Sequence, residues 1–110
     1  TPGADLVTGV WEDNRIGTFR GLREGKRGYG GTVYAEKDIT ELGPYAGYNP
    51  LLTEIIKFFT TGQVPVEPSE TLGILAFMEA ADLSKKKNGM PVSVEKLMEK
   101  ARRESNKIEI

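Results

Sequence analysis

Glycine and tyrosine are concentrated in the first half of this chain, and this uneven distribution most constrains its fold. All four tyrosines precede Asn49, and so do all glycines except Gly62, Gly73 and Gly89. Long runs of helix-forming residues follow. Glycine weakens helix interiors, whereas alternating β-branched and aromatic residues suit strands. We therefore expect an α+β fold in which the β-structure comes first.

The first half is predicted to form an antiparallel β-meander of three strands. Residues 4–11 and 15–24 alternate in polarity on either side of the polar turn 12–14. A second turn, at residues 25–28, leads to a third strand at residues 29–37. Alternating segments joined by short turns are typical of antiparallel hairpins.

The second half is predicted to form three helices, at residues 50–61, 68–87 and 94–104. Pro50 and Pro68 suit first helical positions, and Ser93 is a candidate N-cap. Gly62 and Gly89 are placed to end the first two helices.

We expect the three helices to pack on one face of the sheet within a single domain. Residues 1–48 form its antiparallel β-sheet portion, residues 49–104 its helical portion, and residues 105–110 a tail. The apolar side chains expected to pack on the sheet are Phe58, Phe59, Leu75 and Phe77.

Composition excludes several function classes. The chain has no cysteine and no histidine, so disulfides, thiolate metal sites and the commonest general base are excluded. We expect no metal site. The net charge is -1, so nucleic-acid binding is not expected. No apolar run approaches the roughly 20 residues that span a membrane, and no signal peptide opens the sequence, which favours a cytoplasmic protein without membrane contact.

The glycine-rich stretch at residues 17–34 could be a phosphate loop, a nucleic-acid strip or a sheet hairpin. Gly21 to Lys26 is one residue short of a P-loop, and Arg27 stands where Ser or Thr would hold the metal ion. Val33 occupies the place of the third glycine in a dinucleotide fingerprint. Basic residues lie near aromatic ones, as in proteins that bind single-stranded nucleic acid, but acidic residues lie among them. A hairpin is the favoured interpretation.

Tyr45 and Tyr48 are the candidate ligand-binding residues. They flank Gly47 in the segment that joins the sheet to the first helix, and such loops often carry binding groups. Packing of two half-buried rings against the helix start is the favoured alternative, and it stays open. No catalytic residue is predicted.

Three segments together resemble the C-terminal part of the glucose–fructose oxidoreductase/inositol dehydrogenase family of NAD(P)-dependent oxidoreductases. They are the strand end Ala35–Ile39, the helix pattern E-I-x-x-F-F-x-x-G-x-x-P-V at Glu54–Val66, and the longer pattern that begins P-x-E-T-L at Pro68–Val92. The resemblance covers about residues 4–104.

The resemblance implies a cofactor domain and a substrate domain, of which this chain would supply only the second. It implies an N-terminal Rossmann domain that binds NAD or NADP, and a C-terminal α+β domain that shapes the substrate site and builds oligomers. The Rossmann glycines and the family's catalytic Glu-Lys-Pro motif are absent here, since Asp38 follows Glu36-Lys37. The chain alone is therefore expected to be an inactive fragment that binds no cofactor. The resemblance also carries a substrate-side role for Tyr45 and Tyr48.

The first hairpin has a candidate oligomer interface. If turn 12–14 places Trp11 opposite Arg15, the residues of the two strands separate into two faces. We name the first the Trp11 face, which is expected to lie under the helices and contains Val7, Gly9, Trp11, Gly17 and Phe19. The second is the Ile16 face, which is expected to pair with a second copy of the chain and contains Leu6, Thr8, Val10, Ile16, Thr18, Arg20 and Leu22.

Three functions follow in order of preference. The first is the substrate-side and oligomerisation fragment of an oxidoreductase. The second is a free-standing interaction module that self-associates through its sheet. The third is an intact small enzyme, which lacks a convincing site.

Overall fold

The computed structural model describes residues 1–26 and 28–108 and has the predicted α+β composition. By contacts the chain divides into two compact units, Thr1–Thr53 and Glu54–Ile110. The strands are β1 (Ala4–Val10), β2 (Ile16–Leu22), β3 (Gly31–Tyr34) and β4 (Ile39–Leu42). The helices are α1 (Asn49–Thr61), α2 (Pro68–Lys86) and α3 (Val94–Ser105).

The first hairpin has the predicted register. β1 and β2 pair antiparallel, with Val10 opposite Ile16 and Gly9 opposite Gly17. The Trp11 amide donates to the Arg15 carbonyl at 3.0 Å, so Trp11 faces Arg15 as expected. Asn14 closes the turn with φ 66, a left-handed conformation that asparagine tolerates better than most residues. Because the register is confirmed, the residues of the Trp11 face and of the Ile16 face do separate as predicted.

Two aromatic rings fill the space above glycines of β2. A Cβ placed on Gly17 would lie 3.1 Å from the Trp11 ring, and one placed on Gly21 would lie 3.2 Å from the Phe19 ring. Glycine in a strand permits this close approach of a side chain. The glycines of β2 therefore allow aromatic rings to approach the hairpin closely.

The remaining strands form a second hairpin in a separate two-stranded sheet, in place of one continuous meander. β3 pairs with β4, which the sequence did not indicate, rather than with β2. The segment 35–38, where the third strand is predicted to end, instead forms the turn, closed by a bond of 2.9 Å from the Ala35 amide to the Asp38 carbonyl. Glutamate, lysine and aspartate are depleted in strands, and this favours a turn here. Arg27 of the predicted second turn lies outside the described residues.

The helix ends follow the sequence signals closely. Gly62 and Gly89 have φ 73 and 84, and each follows the end of a helix. The Gly89 amide donates to the Ser84 carbonyl at 2.8 Å, which closes the last turn region of α2. The Ser93 hydroxyl accepts from the Lys96 amide at 3.2 Å, as an N-cap of α3.

The tightest packing in the second unit is between α2 and α3. Ala76 and Ala80 of α2 are 8% and 6% exposed, and they are the buried apolar side chains of the described residues. Small residues allow the close approach of two helices. The expectation of a core built on Phe59 is wrong for this structure, because Phe59 is 80% exposed, and Leu75 is also exposed. Packing of the helices on a sheet face stays a prediction.

Large apolar side chains remain exposed on every strand and on α1 and α2. The solvent-accessible surface is 10346 Å², whereas even two separate compact domains of half this mass would expose only about 7,300 Å². Each unit therefore leaves apolar surface that its own residues do not cover. Within residues 1–26 and 28–108, none of the helices is both long enough and apolar enough to cross a membrane.

Candidate functional site

A pocket of about 510 Å³ opens beside the second hairpin, within the first unit. The pairing of Gly31 with Leu42 brings the residues just outside the two strands, Gly30 and Gly43, to the same end of the hairpin. The pocket is lined there by Tyr29, Gly30, Leu42, Gly43, Tyr45 and Tyr48. We call this site the tyrosine pocket.

The tyrosine pocket brings together both tyrosines that the sequence singled out. The ring centroids of Tyr45 and Tyr48 are 6.0 Å apart with an interplanar angle of 89°. Tyr29 joins them, with its centroid 5.8 Å from that of Tyr45 and an angle of 52°. The rings are 59% exposed at Tyr45, 70% at Tyr48 and 85% at Tyr29. In the isolated chain the two tyrosines are therefore more than half exposed.

Tyr29 is the site residue that the sequence did not assign to the pocket. Its ring meets Tyr45 because β3 and β4 pair, and the β4 strand was not predicted. The sequence spacing of the two tyrosines is the signal that could have placed Tyr29 in the pocket. Tyr29 lies two residues before Gly31 and Tyr45 lies three residues after Leu42, and Gly31 and Leu42 pair in the hairpin. This signal can be used only once the hairpin is known.

The lining of the tyrosine pocket is uncharged over its described residues. The phenol hydroxyls and the backbone groups of Gly30 and Gly43 are its polar groups. Among the described residues, no cluster of three or more carboxylate, thiol or imidazole groups could hold a metal ion. The pocket can thus offer aromatic faces and hydrogen bonds, and its described residues supply no strong acid or base.

Two of the arginines near the glycine-rich stretch are held by acidic partners. Arg15 Nε lies 2.7 Å from Asp13 Oδ2, and the Arg15 guanidinium lies 5.8 Å from the Trp11 ring centroid. Arg23 pairs with Asp5 across the hairpin. The Arg15 amide donates to Asp13, and this bond lowers the pKa of the Asp13 carboxyl below its ordinary value of 3.8, with the guanidinium acting in the same direction. These pairs reduce the positive field that a phosphate backbone would need.

The Ile16 face is open to solvent in this structure. Leu6, Val10 and Ile16 are 70%, 72% and 69% exposed, and Leu22 is 47% exposed. Thr8, Thr18 and Arg20 are exposed on the same face. The Trp11 face is partly covered by its own rings, with Trp11 at 45% and Phe19 at 61%. The Ile16 face is therefore the barer of the two.

A second concave surface, of about 380 Å³, lies between α2 and α3. Its walls are mainly apolar, with charged groups at Glu79 and Arg102; it is lined by Leu72, Leu75, Ala76, Glu79, Leu97, Met98, Ala101, Arg102 and Ser105. It extends the contact between the two helices outward to solvent.

Comparisons with protein-family models, with curated proteins and with solved structures each found no match, so the resemblance of this sequence to oxidoreductases stays a prediction.

Proposed function

We propose that this chain is the substrate-side and oligomerisation part of an NAD(P)-dependent oxidoreductase whose cofactor domain lies outside it. The observation that carries the proposal is the exposed apolar surface of both units. A polypeptide that leaves this much apolar surface in water is completed by more protein. The order of β-structure and then helices agrees with the C-terminal domain that the sequence resembles.

Helix α2 carries exposed apolar side chains outside its contact with α3. Its side facing α3 holds Ala76 and Ala80, yet Ile74 and Met78 on other sides are 56% and 59% exposed. Exposed apolar side chains of this size on a helix mark surface that meets further protein. In the proposed enzyme, α2 is an interior helix, and the rest of the protein covers the sides that α3 does not reach.

The tyrosine pocket is the proposed substrate-side contribution. Tyr45 and Tyr48 would hold the substrate by ring contacts and hydroxyl hydrogen bonds, while hydride transfer and proton transfer would involve groups of the cofactor domain. This assignment of substrate binding to one domain and catalysis to the other agrees with a pocket whose described lining residues include no carboxylate, lysine or arginine. A cytoplasmic location is part of the proposal, because nicotinamide cofactors are supplied there.

Two measurements test the proposal. Titration calorimetry of the chain with NADH and NADPH should give no binding in the micromolar range, because no helix N-terminus preceded by a glycine fingerprint is present in the sequence. An antibody raised against the chain should then isolate a native protein much larger than 110 residues that reduces NAD⁺ or NADP⁺ with a sugar or cyclic polyol from a panel. A native product of 110 residues without nicotinamide-dependent activity would overturn the proposal.

The alternative is a free-standing interaction module that self-associates through the Ile16 face. The exposure of Val10 and Ile16 supports it, because flat β-branched surfaces suit protein interfaces. Light scattering of the wild type should then show a dimer, and Ile16→Glu should give a folded monomer. Ile39→Glu is the matched control, since Ile39 is 62% exposed on the other hairpin and its replacement should leave the dimer intact. A wild-type monomer at high concentration would count against self-association.

A further inference from the structure

We propose that the tyrosine pocket binds a small molecule through a trimethylammonium group. Three aromatic rings that converge on one open pocket are the feature by which proteins recognise quaternary ammonium ions. The proposal concerns the chemistry of the ligand at Tyr29, Tyr45 and Tyr48, and this chemistry is argued from ring geometry and charge.

The three tyrosine rings that line the pocket are inclined to one another. Tyr45 and Tyr48 stand at 89°, with centroids 6.0 Å apart, and Tyr29 is inclined at 52° to Tyr45. A cation is attracted to the ring face within about 6 Å of the centroid. At these separations one small cation in the corner between two rings lies within range of both centroids.

The charges of the pocket favour a cation over an anion. The face of a tyrosine ring carries the negative part of its quadrupole. The described lining residues carry no positive group that would repel an ammonium ion or hold a phosphate or carboxylate.

The pocket also has room for a bulky group. Nothing lies within 4 Å of a Cβ built on Gly30 or on Gly43. Pockets of about 300–1,000 Å³ are typical for small ligands, and the volume of 510 Å³ falls within this range. A group with three methyls can therefore enter beside the rings without displacing protein atoms.

The inference rests on the proposed function in one respect. If this chain is the substrate-side part of an oxidoreductase, the trimethylammonium group is the end of the substrate that does not react. Ammonium binding is measured on this chain without a cofactor. Its failure would therefore leave the oxidoreductase proposal standing, and failure of the oxidoreductase proposal would leave the binding site standing.

The test is an NMR titration of the full chain with choline and with dimethylbutanol, the neutral isostere in which carbon replaces nitrogen. Two exposed cation–π contacts of about 0.5–1 kcal/mol each predict that choline binds at least about fivefold tighter than the isostere. Equal affinity for the two, or no binding of choline at millimolar concentrations, would overturn the proposal.

Variants locate the site. Tyr29→Ala should weaken choline binding by about two- to fivefold, and Tyr29→Phe should keep it within about twofold because the ring remains. Tyr45→Ala should weaken choline binding by a similar factor, because it removes the ring that contacts both other tyrosines. Tyr34→Ala is the matched control, since Tyr34 is 77% exposed and does not line the pocket. Loss of binding in Tyr34→Ala, or full binding in both Tyr29→Ala and Tyr45→Ala, would place the ammonium elsewhere and overturn the assignment.

The source of the ligand is decided by two further probes. A trimethyllysine peptide presents the trimethylammonium group as part of a protein, and phosphatidylcholine vesicles present it on a membrane. We expect neither to bind more than about tenfold tighter than choline, a margin of about 1.4 kcal/mol. A larger preference for either would overturn the assignment to a free small molecule.

Discussion

Replacing Gly17 by valine should remove the Trp11 ring from the first hairpin. A Cβ at position 17 would lie 3.1 and 3.2 Å from two carbons of that ring, which is closer than an ordinary carbon contact of about 3.5–4.0 Å. Valine adds two methyl groups beyond this atom. The ring must therefore move outward by at least a few tenths of an ångström, and we expect the two valine methyl groups to displace much of its contact with the strand.

The cost can be worked from the exposure of the ring. Trp11 is 45% exposed, so a little over half of an aromatic surface of roughly 150–250 Å² is covered, or roughly 80–140 Å². At about 25 cal/mol per Å² this contact contributes about 2–3.5 kcal/mol. The preference of a strand for valine over glycine offsets up to about 1 kcal/mol. We expect a net loss of about 1–3.5 kcal/mol in the stability of the hairpin.

Tryptophan fluorescence measures this change directly, because Trp11 is the one tryptophan in the chain. Gly17→Val should shift the emission toward that of solvent-exposed indole and lower the urea midpoint of the fluorescence transition. Thr18→Val is the matched control, since it adds a β-branched apolar residue to the same strand on the opposite face. Unchanged emission and stability in Gly17→Val would refute the placement of Trp11 over Gly17.

Three further predictions concern other parts of the chain. Because the Arg15 amide lowers the pKa of Asp13, the ionised carboxylate stabilises the turn above pH 3.8, and this stabilisation is lost as the pH falls through the lowered pKa. Asp13→Asn should therefore make the Trp11 fluorescence less dependent on pH in the acid range. A pH profile identical to that of the wild type would contradict this. Ser93→Ala should destabilise α3 by about 0.5–2 kcal/mol, which is seen as faster hydrogen exchange of the Lys96 amide, whereas unchanged exchange would argue against the cap. Phe59→Ala should cost less than about 1 kcal/mol in urea unfolding of the isolated chain, because this side chain is 80% exposed; a loss near the about 3–5 kcal/mol of a buried phenylalanine would mean that the ring is covered.

Local signals in the sequence were sufficient for most of the helices and for the first hairpin. Proline at the start of α2, glycine after α1 and the serine cap of α3 act through backbone groups within a few residues. The register of β1 and β2 likewise depends on a short turn that ends in Asn14. Such features need no knowledge of distant residues.

The second hairpin and the full tyrosine pocket depended on contacts that the pattern did not specify. β3 and β4 have only four residues each, which is too short for alternation to separate them from the turn between them. Tyr29 reaches Tyr45 only through that pairing. The apolar residues of α1 predict that a helix face will be covered, but they do not specify which element covers it.

Amide hydrogen exchange of α2 in the isolated monomeric chain tests most directly whether additional protein normally covers the exposed apolar surfaces. We expect the amides around Ile74 and Met78 to exchange through local opening that costs much less than the about 5–15 kcal/mol of a complete domain, because the side chains there are 56% and 59% exposed. Protection of these amides at the level of a complete domain, in a chain shown to be monomeric by light scattering, would mean that α2 is already covered and would contradict the proposed role as part of a larger assembly.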